Sequence, residues 1–136
     1  MVHVGVSGKT SELNVEQQAF NDGYVHVDIS GCTPYGNICS AGCENVLQSG
    51  IDMNQVCQTI NDSSCGVASS VSYDPGRYLC DFTYFSSLRI DRKRSAFIHV
   101  PCLDQPYSAL QLAQALKVAI TTMLQQVREN DQKTML

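Results

Sequence analysis

Residues 66–101 read GVASSVSYDPGRYLCDFTYFSSLRIDRKRSAFIHVP, and the order of signals in this stretch decides the fold class. Gly66 to Tyr73 is a β-rich run carrying the β-branched Val67 and Val71. Asp74-Pro75-Gly76 breaks it. Leu79, Phe82, Tyr84 and Phe85 then follow without a breaker, which predicts a helix from about Arg77 to Leu88. Ala96-Phe97-Ile98-His99-Val100 is a short apolar run stopped by Pro101, the pattern of a buried strand. The flanking sequence continues this alternation. Val2-His3-Val4-Gly5-Val6 reads as a buried strand. Asp52, with Gln55 as a capping-box partner, opens a helix whose stripe is Met53, Val56, Cys57 and Ile60. Ser108 and Gln111 form a second capping box. The long helix they open presents Leu112, Leu116, Ile120, Met123, Leu124 and Val127 on one face. The expectation is a single α/β domain over 1–128, a three-layer α/β/α sandwich with a mostly parallel sheet, and a frayed tail over 129–136.

Leu13 and Val15 alternate with Asn14 and Glu16, which puts Glu16 on the face opposite Val15. Tyr24 to Ile29 alternates in the same way, and Asn21-Asp22-Gly23 between the two runs predicts a hairpin. Residues 31–50, dense in Gly, Pro, Ser and Asn, read as a long surface loop. The first strand begins at the second residue, so nothing in the sequence precedes it to pair with its outer side.

Composition narrows the function class. The chain has 136 residues, a net charge of −4 and 16% charged residues. Arg92-Lys93-Arg94 is its longest basic run, too short for a broad nucleic-acid face. No apolar run approaches the roughly 20 residues of a membrane span, and no secretory signal pattern is present. Seven cysteines without a CxxC pair read as reduced thiols of a cytoplasmic protein. Cys32, Cys39 and Cys43 lack a fourth ligand at standard zinc spacing, so no metal site is expected.

Chemistry is suggested by three side chains. His99 lies near the end of an apolar strand, and strand carboxyl ends are where α/β sheets build their sites. Cys80 follows another strand end, near the start of a helix, where a thiolate is stabilised. The two make a nucleophile and a base, and Glu16 on the expected hairpin can orient the imidazole. The plainer readings are a hydrogen-bonded structural histidine, a packed core cysteine and a solvated glutamate.

The stretches Asp74-Pro75-Gly76-Arg77-Tyr78-Leu79-Cys80-Asp81-Phe82-Thr83-Tyr84 and Arg94-Ser95-Ala96-Phe97-Ile98-His99-Val100-Pro101 closely resemble two signature segments of the pyroglutamyl-peptidase I family of cysteine peptidases. Val2 to Gly8 followed by Leu13-Asn14-Val15-Glu16 resembles a third. By this resemblance Cys80 corresponds to the nucleophile, His99 to the general base and Glu16 to the residue that orients it. It implies peptides with an N-terminal pyroglutamate as substrates, and no cofactor or metal. The family's preceding strand and helix, with an aromatic loop that clamps the pyroglutamyl ring, are missing from this sequence, as in the pyroglutamyl-peptidase I-like members. Pro75 stands where alanine is usual, and Cys102 where a second proline is common. The expectation is a weakened peptidase that tends to self-associate. The alternatives are a non-catalytic binding or regulatory relative and the product of an incomplete gene model.

Overall fold

The computed structural model describes residues 1–136. Strands β1 (Val2–Val6), β6 (Ala96–Val100), β2 (Leu13–Glu16) and β5 (Ser69–Ser72) form one sheet in that spatial order. The β1–β6 and β2–β5 pairings are parallel and β6–β2 is antiparallel. The parallel β2–β5 pair is joined by a crossover through α1 (Met53–Asp62), as parallel strands require. Helices α1 and α3 (Ala109–Thr134) cover one face. Helix α2 (Leu79–Asp91) covers the other together with a small hairpin, β3 (Gln18–Phe20) and β4 (Val46–Gln48). The expected three-layer α/β sandwich is the observed one.

The strand periodicity of two distributes the side chains between these layers. Leu13, Val15, Ala96, Ile98 and Val100 enter the larger core with Met53, Val56 and Ile60 of α1 and Leu112, Ala115, Ala119 and Met123 of α3. The alternate positions of β2 and β6 face α2, where Phe97 packs with Tyr84, Phe85 and Leu88. All five residues of β6 are buried, the mark of a strand covered on both faces. At the edge, β1 pairs only with β6, and Val4 and Val6 are 48% and 66% exposed.

Several expectations are corrected. Leu13 to Glu16 does not pair with Tyr24 to Ile29: β2 is a central strand, and the hairpin uses β3 and β4. The reason is burial. Val25, Val27 and Ile29 are all exposed, so their alternation has no apolar face to join. Residues 31–50 contain a 3-10 turn over Tyr35–Asn37 as well as β4. Asp52 caps α1 by accepting the N–H groups of Asn54 and Gln55. The reciprocal contact comes from Gln126 of α3, which accepts the Asp52 N–H at 2.8 Å and donates to its carbonyl at 2.9 Å. That role places polar Gln126 on the buried face of α3 beside small Ala115 and Ala119, while Leu124 is half exposed. The helix also continues to Thr134 instead of fraying after 128. There Arg94 binds both Asp131 carboxylate oxygens, at 2.9 and 2.8 Å.

Candidate active site

Strand β6 carries Phe97 and His99 on the α2 face. The antiparallel register sets Glu16 opposite Phe97 and Asn14 opposite His99, so Glu16 is the diagonal neighbour of His99. His99 Nδ1 lies 2.9 Å from Glu16 Oε1. Both residues are buried, Glu16 at 1% and His99 at 7% exposure. With the carboxylate ionised, Nδ1–H donates and Nε2 is left to accept. The second carboxylate oxygen, Oε2, is buried with no partner. Tyr84 of α2 donates its hydroxyl to the Glu16 carbonyl at 2.8 Å, fixing the end of β2 against the helix.

Cys80 reaches the same face by a route the sequence did not reveal. β5 runs opposite to β6, so the carboxyl end of the strand preceding Cys80 is not the edge at which His99 lies. Residues 73–78 carry the chain across, and α2 starts over the carboxyl ends of β1 and β6. A Cβ built on Gly5 would lie 3.0 Å from Cys80 Sγ and 3.0 Å from Phe97 Cζ. Gly5 is the register partner of His99. The helix then returns toward the strand beginnings, where Ser87 Oγ meets His3 Nε2 at 2.7 Å. Gly5 is therefore required by close approach of the thiol and the ring. Gly5→Ala is expected to destabilise the chain by about 1–3 kcal/mol and to change the iodoacetamide reactivity of Cys80. Chemical unfolding and peptide-mapped alkylation check both.

No hydrogen bond joins Cys80 Sγ to His99. Burial pushes the Cys80 thiol up, and the carboxylates of Glu16 and Asp81 push in the same direction. At this helix start these outweigh the lowering expected from the helix N-terminus.

Beside the thiol is a cavity of about 540 Å³. One wall is the segment from Tyr24 to Pro34; the other is the turn and helix start from Arg77 to Phe82. His26 stacks on Tyr78 with centroids 4.6 Å apart, and Tyr24 meets Phe82 edge-on at 5.5 Å. Sequence reading missed this wall because Tyr24 to Ile29 alternates like a strand. The readable signal was Asp28, whose carboxylate accepts the N–H groups of Ser30 and Cys32 in a tight local turn. All seven cysteines are free thiols, and no group of three or more His, Cys, Asp or Glu side chains is arranged to hold a metal ion. No helix is long and apolar enough to cross a membrane.

Buried thiols and phenols on both faces of the sheet set an alkaline limit to stability. Burial pushes the Cys39 thiol from its ordinary 9.0 up to about 11. It also raises Cys57, Tyr24 and Tyr84. Above the ordinary thiol value the unfolded chain loses these protons before the folded one does, so stability falls with rising pH. The unfolding midpoint is expected to drop progressively between pH 9 and 11, and a flat profile there would contradict the burial of these groups.

The family model "Putative pyroglutamyl peptidase PgaPase_1" matches residues 2–104. The chain is 43% identical over 124 residues to pyroglutamyl-peptidase 1 of Rattus norvegicus, covering 91% of this chain and 59% of the relative. It is 39% identical over 127 residues to the pyroglutamyl-peptidase 1-like protein of Homo sapiens, covering 93% and 64%. The solved pyrrolidone carboxyl peptidase of Thermococcus litoralis superposes with a TM-score of 0.81 at 20% identity, over 95% of this chain and 67% of that one. At that identity the likeness is one of fold. The chain thus spans 59% and 64% of the lengths of the two curated relatives.

Proposed function

The chain belongs to the pyroglutamyl peptidase family, and from that premise we propose that it is a cysteine peptidase removing an N-terminal pyroglutamyl residue from peptides. Cys80 is the nucleophile, His99 the general base and Glu16 the carboxylate that orients His99. The observation that carries this reading is the buried His99–Glu16 contact at 2.9 Å on the strand position directly across from Gly5, against which Cys80 Sγ rests.

In the reaction His99 Nε2 takes the Cys80 proton as Sγ attacks the pyroglutamyl carbonyl. The tetrahedral intermediate collapses as the imidazolium returns that proton to the leaving amine, giving an S-pyroglutamyl thioester. Water, deprotonated by the same imidazole, then attacks the thioester and releases pyroglutamate and the free thiol. Glu16 keeps Nδ1–H fixed and supports the imidazolium. The oxyanion is met by backbone N–H groups of the first turn of α2. Tyr78 at the helix start provides no side-chain cap for them, which leaves them available. The aromatic cavity walls suit a neutral lactam ring better than a charged N-terminus. The protein works in the reducing cytoplasm, consistent with its seven free thiols.

One observation favours a second reading, a non-catalytic relative that uses the cavity for binding: the thiol is pushed up and makes no hydrogen bond to His99. Turnover of a pyroglutamyl-aminocoumarin substrate separates the two. Hydrolysis lost in Cys80→Ser supports the peptidase; saturable binding of pyroglutamyl peptides without hydrolysis supports the second reading.

A further inference from the structure

The turn that carries Cys80 is held by an ion pair between a buried aspartate and a half-buried arginine that the proposed triad does not use. Arg77 has φ 59°, left-handed backbone that is strained for a non-glycine residue. Asp81, fully buried, compensates for this. Its Oδ2 accepts the Arg77 backbone N–H at 3.0 Å and Nη1–H at 2.9 Å, and its Oδ1 accepts the Phe20 N–H at 2.8 Å. Arg77 Nη1 also donates to Asp74 Oδ1 at 2.7 Å, and that oxygen accepts the Gly76 N–H at 3.0 Å. The guanidinium lies 3.6 Å over the Phe20 ring. Its stem passes Gly23, where a Cβ would come 3.4 Å from Arg77 Cγ. One side chain thereby joins the 74–76 turn, the start of α2 and the Phe20–Gly23 segment that leads into the far cavity wall.

We infer that Arg77 and Asp81 are positioning residues: together they lock the left-handed turn that sets Cys80 Sγ against Gly5, and they register the thiol against the cavity wall that follows Phe20. This rests on the assignment of Cys80 as nucleophile. The charged and titratable groups around the thiol are Glu16 and His99 from β2 and β6, and Asp74, Arg77 and Asp81 from its own turn and helix start. The facing wall adds His26, Asp28 and Cys32. Only the Arg77–Asp81 pair both flanks Cys80 in sequence and ties its turn to Phe20, at the head of the segment that leads into the facing wall. Lys keeps the charge and has donors enough for both carboxylates, but it lacks the planar group that stacks on Phe20 and the fixed geometry of the guanidinium.

The test is the pH profile of Cys80 alkylation by iodoacetamide, mapped by peptide mass with exposed Cys32 as the internal reference. Arg77→Gln leaves the Asp81 carboxylate unopposed, and the Cys80 midpoint is expected to rise by about one pH unit. Asp81→Asn removes the negative charge and is expected to lower it by a similar amount. Arg77→Lys restores the wild-type midpoint while turnover stays at least several-fold down. Opposed shifts with an unmoved Cys32 support the proposal, even if no variant and no wild-type chain turns over substrate; in that event only the peptidase reading fails. Turnover with coincident Cys80 midpoints in all three variants overturns the proposal. Should Asp81→Asn fail to unfold cooperatively, the Arg77 pair decides alone, because its partly exposed side chain is replaceable without opening the core.

Discussion

Cys80→Ser is expected to abolish turnover of a pyroglutamyl-aminocoumarin substrate, by at least about 10³-fold, since a hydroxyl is a far weaker nucleophile than a thiol at the same site. The substitution is nearly isosteric, and Cys80 packs only at the margin of the smaller core. Its unfolding midpoint should therefore stay close to that of the parent chain. In the unmodified chain, Cys80 labelling by iodoacetamide should rise with pH through a midpoint above the ordinary thiol value of 9.0. Binding of a pyroglutamyl peptide, by ordering the contact with His99, should accelerate acylation relative to simple alkylation. Residual turnover in Cys80→Ser at more than a small fraction of the parent would remove Cys80 from the mechanism.

His99→Ala is expected to lower turnover by about 10²–10⁴-fold, the range of a lost general base. It also leaves Glu16 buried with neither oxygen paired, because Oε1 loses its one partner and Oε2 has none. A stability loss of about 1–3 kcal/mol should accompany it. Glu16→Gln keeps the shape and a hydrogen-bond acceptor for Nδ1–H while losing the charge that supports the imidazolium. Its effect on turnover should be smaller than that of His99→Ala. Unchanged kinetics in His99→Ala would sink the assignment of the base.

The sequence made the layers legible where burial and period agree. Met53, Val56, Cys57 and Ile60 at helical spacing, Ser108 with Gln111, and the five apolar residues of β6 each carry a local signal that the tertiary structure does not override. It failed where long-range pairing decides. Nothing local to Leu13–Glu16 says that it will lie between β6 and β5, and the turn at Asn21-Asp22-Gly23 suggested a nearby partner instead. Polar Gln126 lies outside the apolar stripe read from the sequence, because its partner, the Asp52 backbone, is distant in the chain. All three candidate residues are named from the sequence, but only His99 from the strand end it occupies: Cys80 follows a strand that ends at the other edge. The sequence places Glu16 on a hairpin, whereas the antiparallel register with β6 is what makes it the diagonal neighbour of His99. Arg77 and Asp81 were quoted as part of a motif but not as an ion pair, since burial of Asp81 is a tertiary fact.

The measurement that bears most directly on the central claim is a single turnover with the chain in excess over a pyroglutamyl-aminocoumarin substrate, acid-quenched and mapped by peptide mass. A series of quench times catches the thioester before water hydrolyses it. The expected result is a pyroglutamyl thioester confined to the peptide containing Cys80, formed with stoichiometric release of aminocoumarin and absent in Cys80→Ser and His99→Ala. Release that survives Cys80→Ser, an adduct on any of the other six cysteines, or no release at all from a cooperatively folded chain would contradict the Cys80–His99–Glu16 peptidase.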